Sequence, residues 1–242
     1  MNFSKIKKYF VSALFTKRCR FCEAVTDIRR EVCENCETQI FKVEGEICLK
    51  CGCEKQYCTC KDKSKYYTSV CAPYYYDGAA KKAIFLLKFH NSRNVAVTLA
   101  NDMAKTFFER YGEMQFDVCT FVPAHKNELK KRGYNQAQLL AEHLSETIGV
   151  PLVELLEKNF ETAPQHSLNE SMRSGNLLGA IGIKDGCETD ITDKRILLCD
   201  DVKTTGATLD ECAKTLLING AAEVRCITAC VRRKGTPEIK NR

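Results

Sequence analysis

The chain has 242 residues, of which 44% are hydrophobic and 28% charged, an ordinary composition for a globular protein with room for one α/β domain and a smaller module. The formal net charge of +6 suits an anionic ligand but is too small to establish nucleic-acid binding. The sixteen cysteines are unusual, and nine of them lie between Cys19 and Cys60. A secreted disulfide framework would need an export signal, so the thiols are interpreted as metal ligands of a cytoplasmic protein.

Residues 1–18 predict a short amphipathic helix. Phe3, Ile6, Phe10 and Leu14 fall near helical spacing, which would place them on one face that packs on the protein. The apolar run is too short for a transmembrane segment or a signal peptide, and no transmembrane segment is predicted. Peripheral contact of this helix with a membrane surface is the alternative.

Residues 19–65 are predicted to form a cysteine-rich double zinc-ribbon module. Two Cys-x-x-Cys pairs can supply four thiolates to a tetrahedral zinc ion, and a second set follows with a tighter Cys-x-Cys ending. Cys53 is a spare thiol nearby, so the ligand set of the second site stays open. Few large apolar residues occur here, so metal binding would supply the folding energy; a reduced, disordered segment is the alternative. The predicted ligands are Cys19, Cys22, Cys33 and Cys36 for the first site, and Cys48, Cys51, Cys58 and Cys60 for the second.

The next segment begins the larger domain, predicted over 66–234. Residues 66–77 favour short edge strands interrupted by a proline. Helices follow over 79–89 and 95–111, and the second carries an apolar residue at every fourth position, a pattern typical of a core face. A strand over 117–123 then leads into a basic stretch.

The basic stretch, 124–136, is predicted to be a loop before a helix that runs through Leu139 and Ile148. Lys126, Lys130, Lys131 and Arg132 concentrate positive charge beside that helix N-terminus, where a pyrophosphate could bind. A solvated basic loop is the simpler alternative.

The rest of the chain continues the alternation. Residues 151–158 and 180–183 are predicted strands, and the long polar loop between them, 160–179, has the length of a lid or binding segment. Residues 223–231 form a further buried strand, and 235–242 a basic tail. Alternating strands and helices predict an α/β fold with a doubly wound, mostly parallel sheet, whose ligands lie beyond the carboxyl ends of the strands.

The most informative stretch is 196–209. An apolar strand, Ile196 to Cys199, is predicted to end at Asp200 and Asp201, and a small-residue turn over 204–208 opens a helix. Such a turn is an anion site, whereas the two carboxylates suit sugar hydroxyls or a divalent cation. The combination predicts a ligand with a ribose and a phosphate; an ordinary capped strand–turn–helix is the alternative.

This stretch resembles the phosphoribosyl pyrophosphate (PRPP) loop of type I phosphoribosyltransferases, and the whole chain looks like a ComF family protein: a zinc ribbon joined to a domain of that type. The match rests on the paired cysteines, Leu87-Lys88-Phe89, Arg132-Gly133-Tyr134-Asn135-Gln136, Gln165…Arg173-x-x-Asn176, and 196–209.

The resemblance implies residue roles. Asp200 and Asp201 would contact the ribose hydroxyls or Mg²⁺, and with Arg132 they are the predicted catalytic residues. Lys126 and Arg132 would lie near the pyrophosphate. The 5-phosphate would be held by the turn residues Thr204, Thr205, Gly206, Ala207 and Thr208. His125 and His166 are weak candidates for a general base.

Two functions follow from the resemblance. In the first, the protein binds PRPP with Mg²⁺ and acts in DNA uptake during natural competence, binding single-stranded DNA or docking on a competence helicase at the inner face of the membrane. In the second, it is a phosphoribosyltransferase acting in nucleotide salvage or on an unidentified acceptor. The acceptor and the oligomeric state are not predicted.

Overall fold

The computed structural model describes residues 17–60, 64–90, 92–158 and 181–233. The cysteine-rich segment contains strands β1 (Lys17–Arg18) and β2 (Val25–Thr26), helix α1 (Glu34–Glu37) and a 3-10 turn (Lys55–Tyr57). The remaining elements are β3 (Ser69–Cys71), β4 (Tyr74–Tyr75), α2 (Gly78–Phe89), α3 (Arg93–Tyr111), β5 (Val118–Phe121), α4 (Lys126–Arg132), α5 (Gln136–Ile148), β6 (Leu156–Lys158), β7 (Ile181–Ile183), β8 (Arg195–Lys203), α6 (Ala207–Ile218) and β9 (Glu223–Val231).

The central sheet is parallel, as predicted. Its strands run in the order β3-β9-β8-β5, and β4 continues the edge beside β9. Ile196 to Cys199 of β8 are completely buried, so both faces of this strand are covered. The parallel arrangement puts the ends of β5, β8 and β9 at one edge of the sheet, and this confirms the predicted α/β class.

Helix α3 supplies much of the packing on this sheet. It contacts β9 and α5, and its residues at every fourth position, from Val95 to Tyr111, are no more than 6% exposed. Phe107 and Tyr111 add an aromatic cluster with Phe116, with ring centroids 5.5 to 5.7 Å apart. The apolar stripe therefore belongs to the core, as predicted.

Three local predictions need correction. Strand β8 does not end before Asp200 but runs on to Lys203, because its pairing with β9 continues to Val231. The basic stretch is not only a loop: Lys126–Arg132 form α4, which begins with a capping box from His125 and Glu128 and ends at Gly133 in the left-handed region. In the strand predicted over 151–158, Leu152 makes an isolated parallel bridge to Cys119 of β5, and only Leu156–Lys158 form a strand, β6, which pairs antiparallel with β7 outside the main sheet.

The cysteine-rich segment packs directly on the domain. Phe21 is 1% exposed and meets the ring of Tyr74 edge-on at 5.5 Å. The backbone N–H groups of Val43 and Tyr75 donate across the boundary to Pro73 O and Phe41 O, each at 2.9 Å. The segment thus shares the core of the domain, which explains how it folds with so few large apolar residues of its own.

Some predicted segments fall outside the described residues. These are 1–16, the long loop with Gln165, His166, Arg173 and Asn176, and the tail 235–242. Lys17–Arg18 form β1, so the helix predicted over 1–18 does not include them. Among the described residues, every helix is too short or too polar to cross a membrane.

Candidate functional site

Two groups of four thiols come together in the cysteine-rich segment. In each group the sulfur atoms all lie within 4.8 Å of one another, and Cys22 Sγ is 3.7 Å from Cys33 Sγ. Four sulfurs placed about 2.3 Å from a zinc ion in a tetrahedron would be about 3.8 Å apart. The thiols therefore fit zinc, and the groups are the eight cysteines predicted: Cys19, Cys22, Cys33 and Cys36, and Cys48, Cys51, Cys58 and Cys60.

In each group one thiol has a lowered pKa, whereas burial raises the pKa of Cys36 in the first group and of Cys60 in the second. Burial disfavours the thiolate, yet backbone N–H groups of each knuckle lower the pKa of Cys19 and of Cys48 to about 7. Thiolates formed near neutral pH are the species that bind zinc. Cys53 is not in the second group; it is 3% exposed and its thiol lies 3.6 Å from the carbonyl oxygen of Arg232.

A cavity of about 390 Å³ opens at the carboxyl edge of the sheet. The end of β8, the turn into α6, the segment after β5 and the first residue after β9 form its wall. Of the predicted ligand residues it is lined by Arg132, Asp200, Asp201, Thr204, Thr205, Gly206, Ala207 and Thr208. Lys126 is exposed and lies outside this lining.

The turn into α6 leaves helix N–H groups facing the cavity. Gly206 is the N-cap, in the left-handed region with φ of +78°, and it offers no side chain to bond the first helical amides. Thr205 Oγ1 accepts from Ala207 N at 3.3 Å. The next amides and the threonine hydroxyls are therefore donors that suit an anion at the N-terminus of a twelve-residue helix.

The two carboxylates at the end of β8 differ in their surroundings. Asp201 is 9% exposed and pairs with Lys88, with 2.8 Å between Oδ2 and Nζ. Asp200 accepts from Asp201 N at 2.8 Å. Burial and the neighbouring Asp201 charge raise the pKa of Asp200 to about 8. A cation bound beside Asp200 would displace its proton and relieve this repulsion.

Lys88 also lines the cavity, although the sequence pattern assigned it no role. Although burial disfavours its ammonium, the Asp201 carboxylate raises the pKa of Lys88 above its usual value. The ion pair between Lys88 and Asp201 joins the end of α2 to the end of β8, although the two residues are 113 positions apart in the chain. No local pattern signals this pairing; the only cue was the family-like Leu87-Lys88-Phe89 sequence.

The cavity is positive on balance. Arg132 enters it from the end of α4, where Gln136 Oε1 accepts from Nη1 at 3.1 Å and Glu128 lies 3.5 Å away. Besides Lys88 and Arg132, its cations are Lys158, Lys203 and Arg232, against the carboxylates of Glu128, Asp200 and Asp201. His125 lines it too, but its Nδ1 accepts from Asn127 N at 3.1 Å and caps α4.

Comparisons with known proteins agree with this geometry. The model of the phosphoribosyl transferase domain family matches residues 129–242. The competence protein ComFC of Streptococcus pneumoniae is 31% identical over 199 residues, covering 80% of this chain and 84% of that protein. The chain belongs to the ComF family. Two further relatives match this ComF protein along most of its length.

The competence protein ComFC of Bacillus subtilis is 29% identical over 202 residues, covering 79% of this ComF chain and 80% of that protein. The DNA utilization protein YhgH of Salmonella typhi is 26% identical over 216 residues, covering 88% and 89%. Alignments of 202 and 216 residues are longer than the segment 129–242 that the family model matches. The relatives therefore resemble this chain beyond the phosphoribosyl transferase domain.

Proposed function

We propose that this ComF protein binds PRPP together with Mg²⁺ in the cavity at the end of β8. The observation that carries the proposal is that one cavity unites a carboxylate pair with an uncapped helix N-terminus. A ribose carrying a 5-phosphate needs acceptors for its hydroxyls and N–H donors for its phosphate, and the two halves of this cavity supply them.

Each half of the cavity would bind a different part of PRPP. The turn from Thr204 to Thr208 binds the 5-phosphate, and Asp200 and Asp201 bind the ribose hydroxyls or Mg²⁺. Arg132 neutralises the pyrophosphate at close range, and the exposed Lys126 acts on it only through longer-range charge. Lys88 fixes Asp201 in place through their ion pair.

The carboxylates fit a magnesium ion. Mg²⁺ prefers oxygen ligands and keeps several waters, so one or two carboxylates and the oxygens of a phosphorylated ligand suffice to hold it. The raised pKa of Asp200 gives the site a pH dependence. Below about pH 8 the carboxyl holds a proton that Mg²⁺ must displace, so affinity for PRPP with Mg²⁺ should fall as the pH is lowered from 8 to 7.

The test is calorimetry with PRPP and Mg²⁺ on the Asp200→Ala/Asp201→Ala variant. We expect at least a hundredfold loss of affinity with zinc content unchanged, because the thiol groups are separate from the carboxylates. Asp185→Ala/Glu188→Ala removes the same number of carboxyl groups from an exposed loop and should bind normally. Undiminished affinity in the first variant would contradict the proposal.

The cellular role we propose is in DNA uptake during natural competence. Two of the relatives are named competence proteins and a third a DNA utilization protein. Binding of single-stranded DNA, or docking on a competence helicase at the inner face of the membrane, would both serve this role. Cytoplasmic location with peripheral membrane contact belongs to the same proposal.

Transfer of the phosphoribosyl group to an acceptor is the second candidate. It is favoured by Arg132, which would neutralise pyrophosphate as it leaves the ribose. In such a site catalysis is chiefly positioning and charge stabilisation. Pyrophosphate release on adding a panel of acceptors tests it, and release that the Asp200→Ala/Asp201→Ala variant does not reduce would refute transfer in this cavity.

A further inference from the structure

Two phenylalanines stand side by side on the surface at the end of α2. Phe85 is 48% exposed and Phe89 is 61% exposed, and their ring centroids are 4.9 Å apart. The ring of His90 follows at 5.6 Å from Phe85. Single exposed apolar side chains are normal, but here three adjacent rings, tilted by 44° and 48° to one another, form an exposed aromatic cluster, which is the kind of surface that marks a binding site.

Positive charge adjoins this face. Tyr134 donates a hydrogen bond from its hydroxyl to Leu87 O and so holds the end of α4 against the end of α2. The guanidinium of Arg132 lies 5.9 Å from the ring centroid of Phe89. Lys130 and Lys131, in the last turn of α4, are exposed, and within the described ranges neither has an acidic partner. The charges of these two lysines are therefore available to an anionic ligand.

We propose that this aromatic-basic surface, formed by Phe85, Phe89 and His90 together with the last turn of α4, which carries Lys130, Lys131 and Arg132, binds single-stranded DNA. Bases would stack on the rings while the lysines contact the phosphates. Stacking on aromatic side chains beside a basic track is the general physics of sequence-tolerant single-strand binding. The inference rests on the proposed role in DNA uptake and gives that role a location.

Two features favour nucleic acid over a lipid surface. The exposed apolar part is small: two phenylalanine rings and a histidine, with Leu129 of α4 as the nearby exposed aliphatic side chain at 37%, whereas membrane binding strengthens with buried apolar area. Arg132 also belongs to both the surface and the candidate PRPP cavity. Single-stranded DNA bound to this surface would therefore pass the opening of the candidate PRPP cavity, which is lined by groups suited to ribose and phosphate.

The test is fluorescence anisotropy of a labelled fifteen-nucleotide oligothymidylate with the full chain at several salt concentrations. Phe89→Ala should weaken binding by roughly 5- to 150-fold, the range for one lost base–aromatic stack, and Phe85→Ala should act similarly. Phe108→Ala is the matched control, because Phe108 is 52% exposed on another helix, α3. It should bind like the wild type.

Conservative changes separate stacking from general apolar contact. Phe89→Tyr keeps a ring and should retain affinity, whereas Phe89→Leu keeps apolar area without a ring and should lose it. Lys130→Ala/Lys131→Ala should make the slope of log affinity against log salt less steep by about 1.4, since each phosphate contact on a single strand contributes about 0.7. Lys105→Ala, at an exposed lysine of α3, should leave the slope unchanged.

The outcomes are distinct. If the Phe85→Ala, Phe89→Ala and Phe89→Leu variants bind DNA normally, the aromatic-basic surface is not the DNA-binding site, although the proposed role in DNA uptake would stand. No binding by the wild type, even at low salt, would overturn both, while calorimetry with PRPP still judges the cavity independently. Loss of binding to phosphatidylglycerol vesicles by Phe89→Ala, with DNA binding intact, would assign the surface to membranes instead. Melting temperatures of all variants check that each is folded.

Discussion

Gly206 is the residue on which the anion turn depends. Its φ of +78° lies in the left-handed region, and a Cβ added there would sit 2.9 Å from Tyr67 Oη and 3.0 Å from Lys203 Cε. Tyr67 Oη in turn donates to Lys50 O at 2.7 Å. A side chain at position 206 would therefore be strained and would also displace the contacts that fix the turn.

We predict that Gly206→Ala loses PRPP affinity and stability together. The matched control is Gly149→Ala, because Gly149 has a φ of +70° with nothing within 4 Å of the added Cβ. Gly149→Ala should lower the unfolding free energy by only about 1 kcal/mol, which is the cost of holding a residue with a Cβ in the left-handed region. Gly206→Ala should lose more and bind PRPP at least tenfold more weakly. Equal denaturant midpoints and unchanged PRPP affinity would show that the turn tolerates a side chain.

At the residue scale, the sequence was most informative where chemistry is local. The small residues from Thr204 to Thr208 predict a turn by themselves, and in the structure this turn lines the cavity. The Lys88–Asp201 ion pair joins residues 113 positions apart, and only the fold brings them together. Arg132 and Lys126 looked equivalent in sequence, but they lie at opposite ends of the short helix α4, and Arg132 lines the cavity whereas Lys126 does not.

The second cysteine group and the anion turn are neighbouring elements. The loop from Cys48 to Cys53 packs on the sheet: Val70 N donates to Leu49 O at 2.9 Å, and a Cβ on Gly52 would lie 3.0 Å from Val231 Cγ1. Tyr67 connects the same loop to Gly206 through its bond to Lys50 O. Metal at this group would therefore support the turn.

We predict that losing the second metal site weakens PRPP binding, whereas losing the first does not. Cys58→Ser/Cys60→Ser and Cys22→Ser/Cys33→Ser each remove two accessible thiols from one group. Both should lose one zinc ion in a dye-release assay. Only the Cys58→Ser/Cys60→Ser variant should show a several-fold lower PRPP affinity by calorimetry. Equal PRPP affinities for the two variants would separate the second metal site from the turn.

At the element scale, strong periodicity predicted the long helices and the buried strands well. Helix α4 was not predicted because it has seven residues, none of them buried, and so no apolar repeat. Its ends are fixed by the capping box at His125 and by Gly133, signals that resemble ordinary loop residues. The antiparallel pairing of β6 with β7 could not be predicted either, because the long segment between them carries no register information.

For the molecule as a whole, a charged network joins the cysteine-rich segment to the domain. The side chain of Asp102 is 8% exposed; it accepts from Tyr74 Oη at 2.7 Å and pairs closely with Arg20, which lies beside the first cysteine group. Glu31 is a second, weaker partner of Arg20 at 3.6 Å and is 68% exposed. The predicted boundary between module and domain therefore crosses a shared core.

We predict that the two parts unfold together and that Asp102 stabilises both. Asp102→Ala should reduce the unfolding free energy by about 3 kcal/mol, because it leaves Arg20 partly buried beside an unpaired Tyr74 hydroxyl. Glu31→Ala removes only an exposed partner and should change it by less than about 1 kcal/mol. Far-ultraviolet circular dichroism would follow the domain while a zinc-sensitive dye follows the module during heating. We expect the two midpoints to coincide, and Asp102→Ala to lower both, because Phe21 and Tyr74 pack in one core. Zinc release at a temperature well below the main transition would instead mean that the module unfolds independently.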